Sequence, residues 1–127
     1  MERLAWVCLA GALGTGARYL IGLWVGQRLS TVFPFGTLVV NITGCFLIAF
    51  VMHLALHVAT FPANLRLALT TGFLGGLTTY SSFNYETTHL FTQGAPALAL
   101  ANFVVTAAVC FVAGLAGLAL AQGLVGA

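Results

Sequence analysis

Between Thr70 and Glu86 the chain reads TTGFLGGLTTYSSFNYE, and these glycines, hydroxyls and aromatics support two kinds of chemistry. Gly75-Gly76 followed by Thr78-Thr79 weakens a helix, because glycine is conformationally free and threonine hydroxyls compete for backbone hydrogen bonds. A helix broken there exposes carbonyl oxygens, which are ligands for hard cations. One chain offers too few for a cage, whereas a two-fold axis through the break would double them. Tyr80 and Phe83 lie three residues apart and share a face once the helix resumes. Aromatic rings have a positive edge, so edges turned inward attract an anion weakly. Weak attraction suits a conduit, which must bind an ion well enough to admit it and loosely enough to release it. The hydroxyls of Thr79, Ser81 and Ser82 and the carboxylate of Glu86 continue the polar run. A plain aromatic core pair competes with the conduit, but the adjacent hydroxyls and helix break favour the latter.

The elements that must position these residues are set by composition. The chain has 127 residues, 61% hydrophobic and 5% charged, whereas soluble domains carry about 25% charged residues. A soluble fold could not cover that much apolar surface. A transmembrane helix needs roughly 20 mostly apolar residues, and four such stretches fit, near residues 4 to 25, 36 to 58, 67 to 91 and 97 to 122. A spanning barrel would need short alternating strands, yet FLIAFVMHLAL and ALALANFVVTAAVCFVAGLAGLALA are long and continuously apolar. The N-terminal run resembles a signal peptide, but Gly11, Gly14, Arg18 and Tyr19 extend it to membrane length. Residues 1 to 127 therefore form one all-α integral membrane domain. Its joints are Gln27 to Phe35, Thr60 to Leu65 and Thr92 to Pro96.

All the basic side chains are arginine. With the N-terminus on one side, Arg3 and Arg66 share that side, Arg28 faces the other, and Arg18 lies inside the first helix. Such balance gives the positive-inside rule little to act on and permits insertion both ways. A net charge of +2, not gathered into a patch, gives no basis for nucleic-acid binding. Arg3, Arg28 and Arg66 are interfacial anchors. Arg18 either snorkels or serves a structural or vestibule role that draws anions inward; Gly14 and Gly22 on its face let another helix approach.

Cys8, Cys45 and Cys110 fall in three different spans without metal-ligand spacing and are expected to behave as small hydrophobes. His53 and His57 share a helix face, but no carboxylate or thiol completes a zinc set, so they are expected to be an interfacial, hydrogen-bonded pair. Gly22 with Gly26 and Gly72 with Gly76 are GxxxG pairs suited to close helix packing. Asn41, within GTLVVNITG, must satisfy an amide at membrane depth. Four short helices leave little interior for a polar pathway, which predicts a homodimer.

GTLVVN around Asn41, GTGAR around Arg18 and above all TTGFLGGLTTYSSFNYE closely resemble the Fluc/CrcB fluoride channels of bacteria, and the resemblance extends over essentially the whole chain. It implies a dual-topology homodimer in the inner membrane. Two antiparallel four-helix subunits would form two fluoride pores, with a structural sodium ion at the subunit interface held by main-chain carbonyls. Those carbonyls fall on Gly75 and Thr78. Asn41 matches the pore-lining asparagine, Phe83 the second of the family's aromatic pair, Ser81 and Ser82 the hydroxyls between, and Glu86 the following acid. Tyr80 stands where the family usually has phenylalanine. Cys110 and Gly114 stand where similar chains carry hydroxyls in the fourth span, so the polar track is expected to run through Tyr80, with Thr106 and Asn102 also on that helix.

The resulting expectation is passive fluoride export: HF enters as a weak acid, dissociates in the more alkaline cytoplasm, and leaves as the anion. No phosphate-binding motif is present, and no acid lies in the middle of the first span. A small dual-topology multidrug transporter is the alternative, but it wants a membrane-embedded carboxylate, and the acids are Glu2 and Glu86 alone. No nucleophile and base pair points to an enzyme.

Overall fold

Apolar composition makes the first, second and last elements long helices, and a computed structural model describes them along with every other residue from Met1 to Ala127. Helix α1 (Glu2–Arg28) ends with Arg28 in its last turn, where a cation complements the helix dipole and lies over the Trp24 ring at 5.5 Å. Helix α2 (Phe35–His57) starts behind Pro34, and α6 (Pro96–Val125) begins with a proline, where a missing amide costs nothing. Each of these three is long and apolar enough to cross a membrane.

The third crossing is segmented. Helix α3 (Ala63–Leu67) leads into a π-helical stretch, Ala68–Leu74, and then a single turn, α4 (Gly75–Leu77). Thr78 and Thr79 are extended, with ψ of 154° and 117°, before α5 (Tyr80–Thr92) resumes. A turn at Gly94, with φ of +79°, returns the chain to α6. The helices outrun the expected spans at most ends, and the joint expected over Thr60 to Leu65 is shorter because α3 already starts at Ala63 behind Pro62.

Contacts fix the directions. On α1, Val7 and Ala10 meet Gly72, while Gly11 and Thr15 meet Gly76. Numbers rise together, so α1 and the third crossing run parallel. Likewise Cys45 meets Gly114, Phe46 meets Gly117 and His53 meets Gly126, so α2 and α6 run parallel. Gly22 meets Gly36, which sets α1 antiparallel to α2. A Cβ at Gly14 would collide with the Phe73 carbonyl, and one at Gly76 with the Gly11 carbonyl; glycine at both positions lets backbones touch. Gly72 and Gly76 thus form a packing face, whereas Gly26 meets nothing, so the Gly22 and Gly26 pair is not a contact motif within the chain. The buried centre is Val40 against Leu74 and Leu77, with Ala17, Ile21, Leu47 and Phe73 around it. It holds the break against α2.

Candidate functional site

At the break, Asn41 takes the place of a missing peptide partner. Its Nδ2 donates to the Thr79 carbonyl at 3.1 Å, and its Oδ1 accepts from the Thr79 amide at 2.8 Å. In an unbroken helix that amide would close on the Gly75 carbonyl. Thr79 caps α5, its Oγ1 accepting from the Ser82 amide at 3.1 Å, and that amide would otherwise close on the Thr78 carbonyl. The Gly75 and Thr78 carbonyls are therefore released from the helix ladder. No cluster of three His, Cys, Asp or Glu side chains is placed to hold a metal. A cation at the break would rest on these main-chain oxygens, whose hard, neutral character suits an alkali ion. The Gly76 carbonyl already accepts from Arg18 Nε at 2.9 Å.

Two pockets flank Thr79. One, of about 370 Å3, is lined by Asn41, Thr78, Thr79, Tyr80, Phe83 and Thr106, with Cys45 and Cys110 on its wall. The other, of about 300 Å3, is bordered by Arg18, Thr37, Thr79 and Ser82. Between them sits the N-terminus of α5, where the Tyr80 and Ser81 amides have no carbonyl partner. Unpaired amides and the aligned dipole make such an end attractive to anions. Tyr80 and Phe83 meet edge to face with centroids 5.6 Å apart. Phe83 is buried against Phe103, while Tyr80 is 75% exposed.

Hydrogen bonds tie α5 to its neighbours. Thr37 Oγ1 donates to Glu86 Oε1 at 2.6 Å, and Glu86 Oε2 is buried without a partner. Thr106 Oγ1 donates to Asn102 Oδ1, Asn102 Nδ2 to Thr87 Oγ1, and Thr87 Oγ1 to the Phe83 carbonyl.

Against this geometry, the comparison with known proteins is decisive. Residues 5–118 match the model of the family described as CrcB-like protein, Camphor Resistance (CrcB). The chain belongs to the CrcB-like family. It is 48% identical over 126 residues to a protein of Anaeromyxobacter sp. (strain K), covering 99% of this chain and all of that one. It is 45% identical over 125 residues to one from Sorangium cellulosum (strain So ce56), covering 98% of each. It is 43% identical over 124 residues to one from Citrifermentans bemidjiense, covering 98% of this chain and all of that one. Each relative is named "Fluoride-specific ion channel FluC". The multidrug transporter alternative is not favoured.

In this CrcB-family chain, Asn41, Thr79, Tyr80 and Phe83 converge on one pocket, and Thr79 and Ser82 on the other. Ser81 is exposed beside them, its hydroxyl 3.3 Å from that of Thr79. Arg18 does not snorkel to an interface; it ties α1 to the break. Asn102 is 1% exposed and turned to Thr87 rather than into the pocket, because α5 offers its amide a hydroxyl there, so only Thr106 of the two lines the cavity. Gly114 borders a separate groove. His53 and His57 stack with centroids 3.9 Å apart, yet each bonds a backbone carbonyl and not the other ring. The Thr37 to Glu86 and Asn102 to Thr87 pairs were outside the reach of sequence; GTLVVN drew attention to Asn41 and not to Thr37.

Proposed function

We propose that this chain is the subunit of a fluoride-selective channel that lets fluoride leave the cytoplasm passively and so lowers its toxicity. The observation carrying this reading is the open N-terminus of α5, with free Tyr80 and Ser81 amides between two polar-edged pockets, in a chain whose relatives are named for fluoride. Fluoride is small and strongly hydrated, so a path for it must replace water with fixed donors. The amides, the Ser82 hydroxyl and the ring edges of Tyr80 and Phe83 supply partial positive charge without a full countercharge to trap the ion. Arg18, bordering the second pocket, draws anions toward it. A larger anion such as chloride meets the same few donors at worse distances.

The working unit in this proposal is an antiparallel, dual-topology homodimer with two pores in the bacterial inner membrane. Supporting it, Tyr80, Ser81, Gly75 and Tyr85 are exposed at the break, and irregular backbone in the membrane is tolerated only where protein or a polar cavity surrounds it. A second copy would provide that cover. The Gly75 and Thr78 carbonyls and their two-fold mates would hold a structural sodium ion. When bound, it supplies a fixed charge that neutralises converging carbonyl dipoles and fastens the subunits together.

Fluoride efflux from liposomes, read with an electrode and paired with a chloride control, tests the function. Wild type is expected to pass fluoride and not chloride, and Phe83→Ile to lose the flux. No fluoride flux from folded wild-type protein would refute the channel.

A further inference from the structure

Cys45 and Cys110 are 65 positions apart in sequence, in different helices, and the fold brings them together. The backbones of α2 and α6 close up where Gly114 meets the Cys45 carbonyl and Gly117 meets the Phe46 carbonyl. Cys110 stands one turn before Gly114 on the same face of α6, so its side chain and that of Cys45 share the seam between α2 and α6. Both side chains line the pocket containing Asn41 and Phe83, and both also line the apolar groove behind it. The pair forms the partition between the two cavities and is only partly covered on each side. Cys8 is exposed on α1 and lines neither cavity.

Two free thiols at membrane depth suit one class of ligand. Thiolates prefer soft cations. Zinc asks for four ligands, and no third ligand accompanies this pair. A soft divalent cation that accepts linear two-coordination needs only two. On binding, two S–H bonds break, two sulfur–metal bonds form and two protons pass to water. The product is neutral, which matters where a net charge is expensive.

We propose that Cys45 and Cys110 form a two-thiolate site for a soft divalent cation of the mercuric type, and that its occupation closes the pathway beside Asn41 and Phe83. The site follows from the placement of both cysteines on the wall between the two cavities; the closure rests on the channel reading above. A cation bridging α2 and α6 occupies the pocket wall and places a bulky metal centre on the route.

The test uses the full-length protein with Cys8→Ser, in chloride-free buffer, titrated with mercuric nitrate. Near-ultraviolet thiolate-to-metal absorption is expected to saturate at one mercuric ion per chain. In liposomes of the same protein, fluoride efflux is expected to fall to the leak of empty vesicles and to return when excess dithiol removes the metal. Cys45→Ser and Cys110→Ser, made separately, are each expected to lose the two-thiolate band and to retain their own untreated efflux in the presence of the metal. No band at equimolar metal, or a band undiminished in either variant, would overturn the site. A saturated band with unchanged efflux would overturn the closure. Untreated protein that passes no fluoride would instead count against the channel reading, and the absorption titration would still decide the site.

Discussion

Asn41 has to do two things at once, and its geometry explains why other residues would serve poorly. An extended residue inside a membrane helix presents both an amide and a carbonyl to be satisfied, and a carboxamide offers an acceptor and a donor on separate atoms that can meet the two at once. Asn41→Ala removes both bonds to Thr79. With interhelical bonds in membranes worth on average about 0.6 and at most about 1.7 kcal/mol each, the loss is expected to be about 1–3 kcal/mol, with slower fluoride efflux as the break loosens. Asn41→Asp, which keeps the acceptor, should recover part of the stability. Efflux and thermal unfolding in detergent measure both, and wild-type behaviour of Asn41→Ala would mean the break holds itself. Glu86 is the converse case, a carboxylate with one oxygen satisfied by Thr37 and one left over. Thr37→Val is expected to destabilise by about 1–3 kcal/mol through the stranded acceptor, and Thr37→Ser to restore it. A valine variant that unfolds with wild type would show that Glu86 draws its partner from elsewhere.

Helix packing rests on a few glycines whose importance spacing alone does not rank. Gly14 faces the Phe73 carbonyl with no room for a methyl, while Gly26 faces open space. Gly14→Ala is expected to cost about 1–3 kcal/mol by forcing α1 from the π-helical stretch. Gly26→Ala is expected to be neutral or to gain up to about 1 kcal/mol, since alanine is the better helix former. Equal unfolding temperatures for the two variants would contradict the packing described. The same contrast marks what sequence could disclose. Apolar runs bounded by Pro34, Pro62 and Pro96 announced the crossings, and the glycine and threonine pairs announced the break within a residue or two, because those signals are local. The π-helical stretch Ala68–Leu74, which packs against α1, has no compositional signature. Thr37 with Glu86, Asn102 with Thr87 and Cys45 with Cys110 depend on the register between helices, which no local pattern carries.

For the molecule as a whole, the consequential feature is how little its charge says about direction. Arg3 and Arg66 lie at the end where the α1 N-terminus meets α3, a junction marked by Asn64 donating to Glu2 at 3.4 Å. Arg28 lies at the other end over Trp24. Arg18, which could have tipped the balance, is committed inside to the Gly76 carbonyl and so contributes to neither flank. Orientation is set by Lys and Arg near the helix ends, and two against one leaves insertion nearly undirected. The proposed antiparallel dimer would require that outcome, because each pair would contain one copy of each orientation and an excess of either would stay unpaired with its break exposed. A lone reporter, Ala127→Cys in a Cys8→Ser, Cys45→Ser, Cys110→Ser background, is expected to be labelled by an impermeant maleimide at about half of the chains in intact cells, and at the remainder after permeabilisation. Adding positive charge to one end, as in Asn64→Lys, should skew that ratio and lower dimer yield and fluoride efflux together. Labelling from one side only would exclude the antiparallel pair and require a parallel assembly to bury the exposed Tyr80 and Ser81.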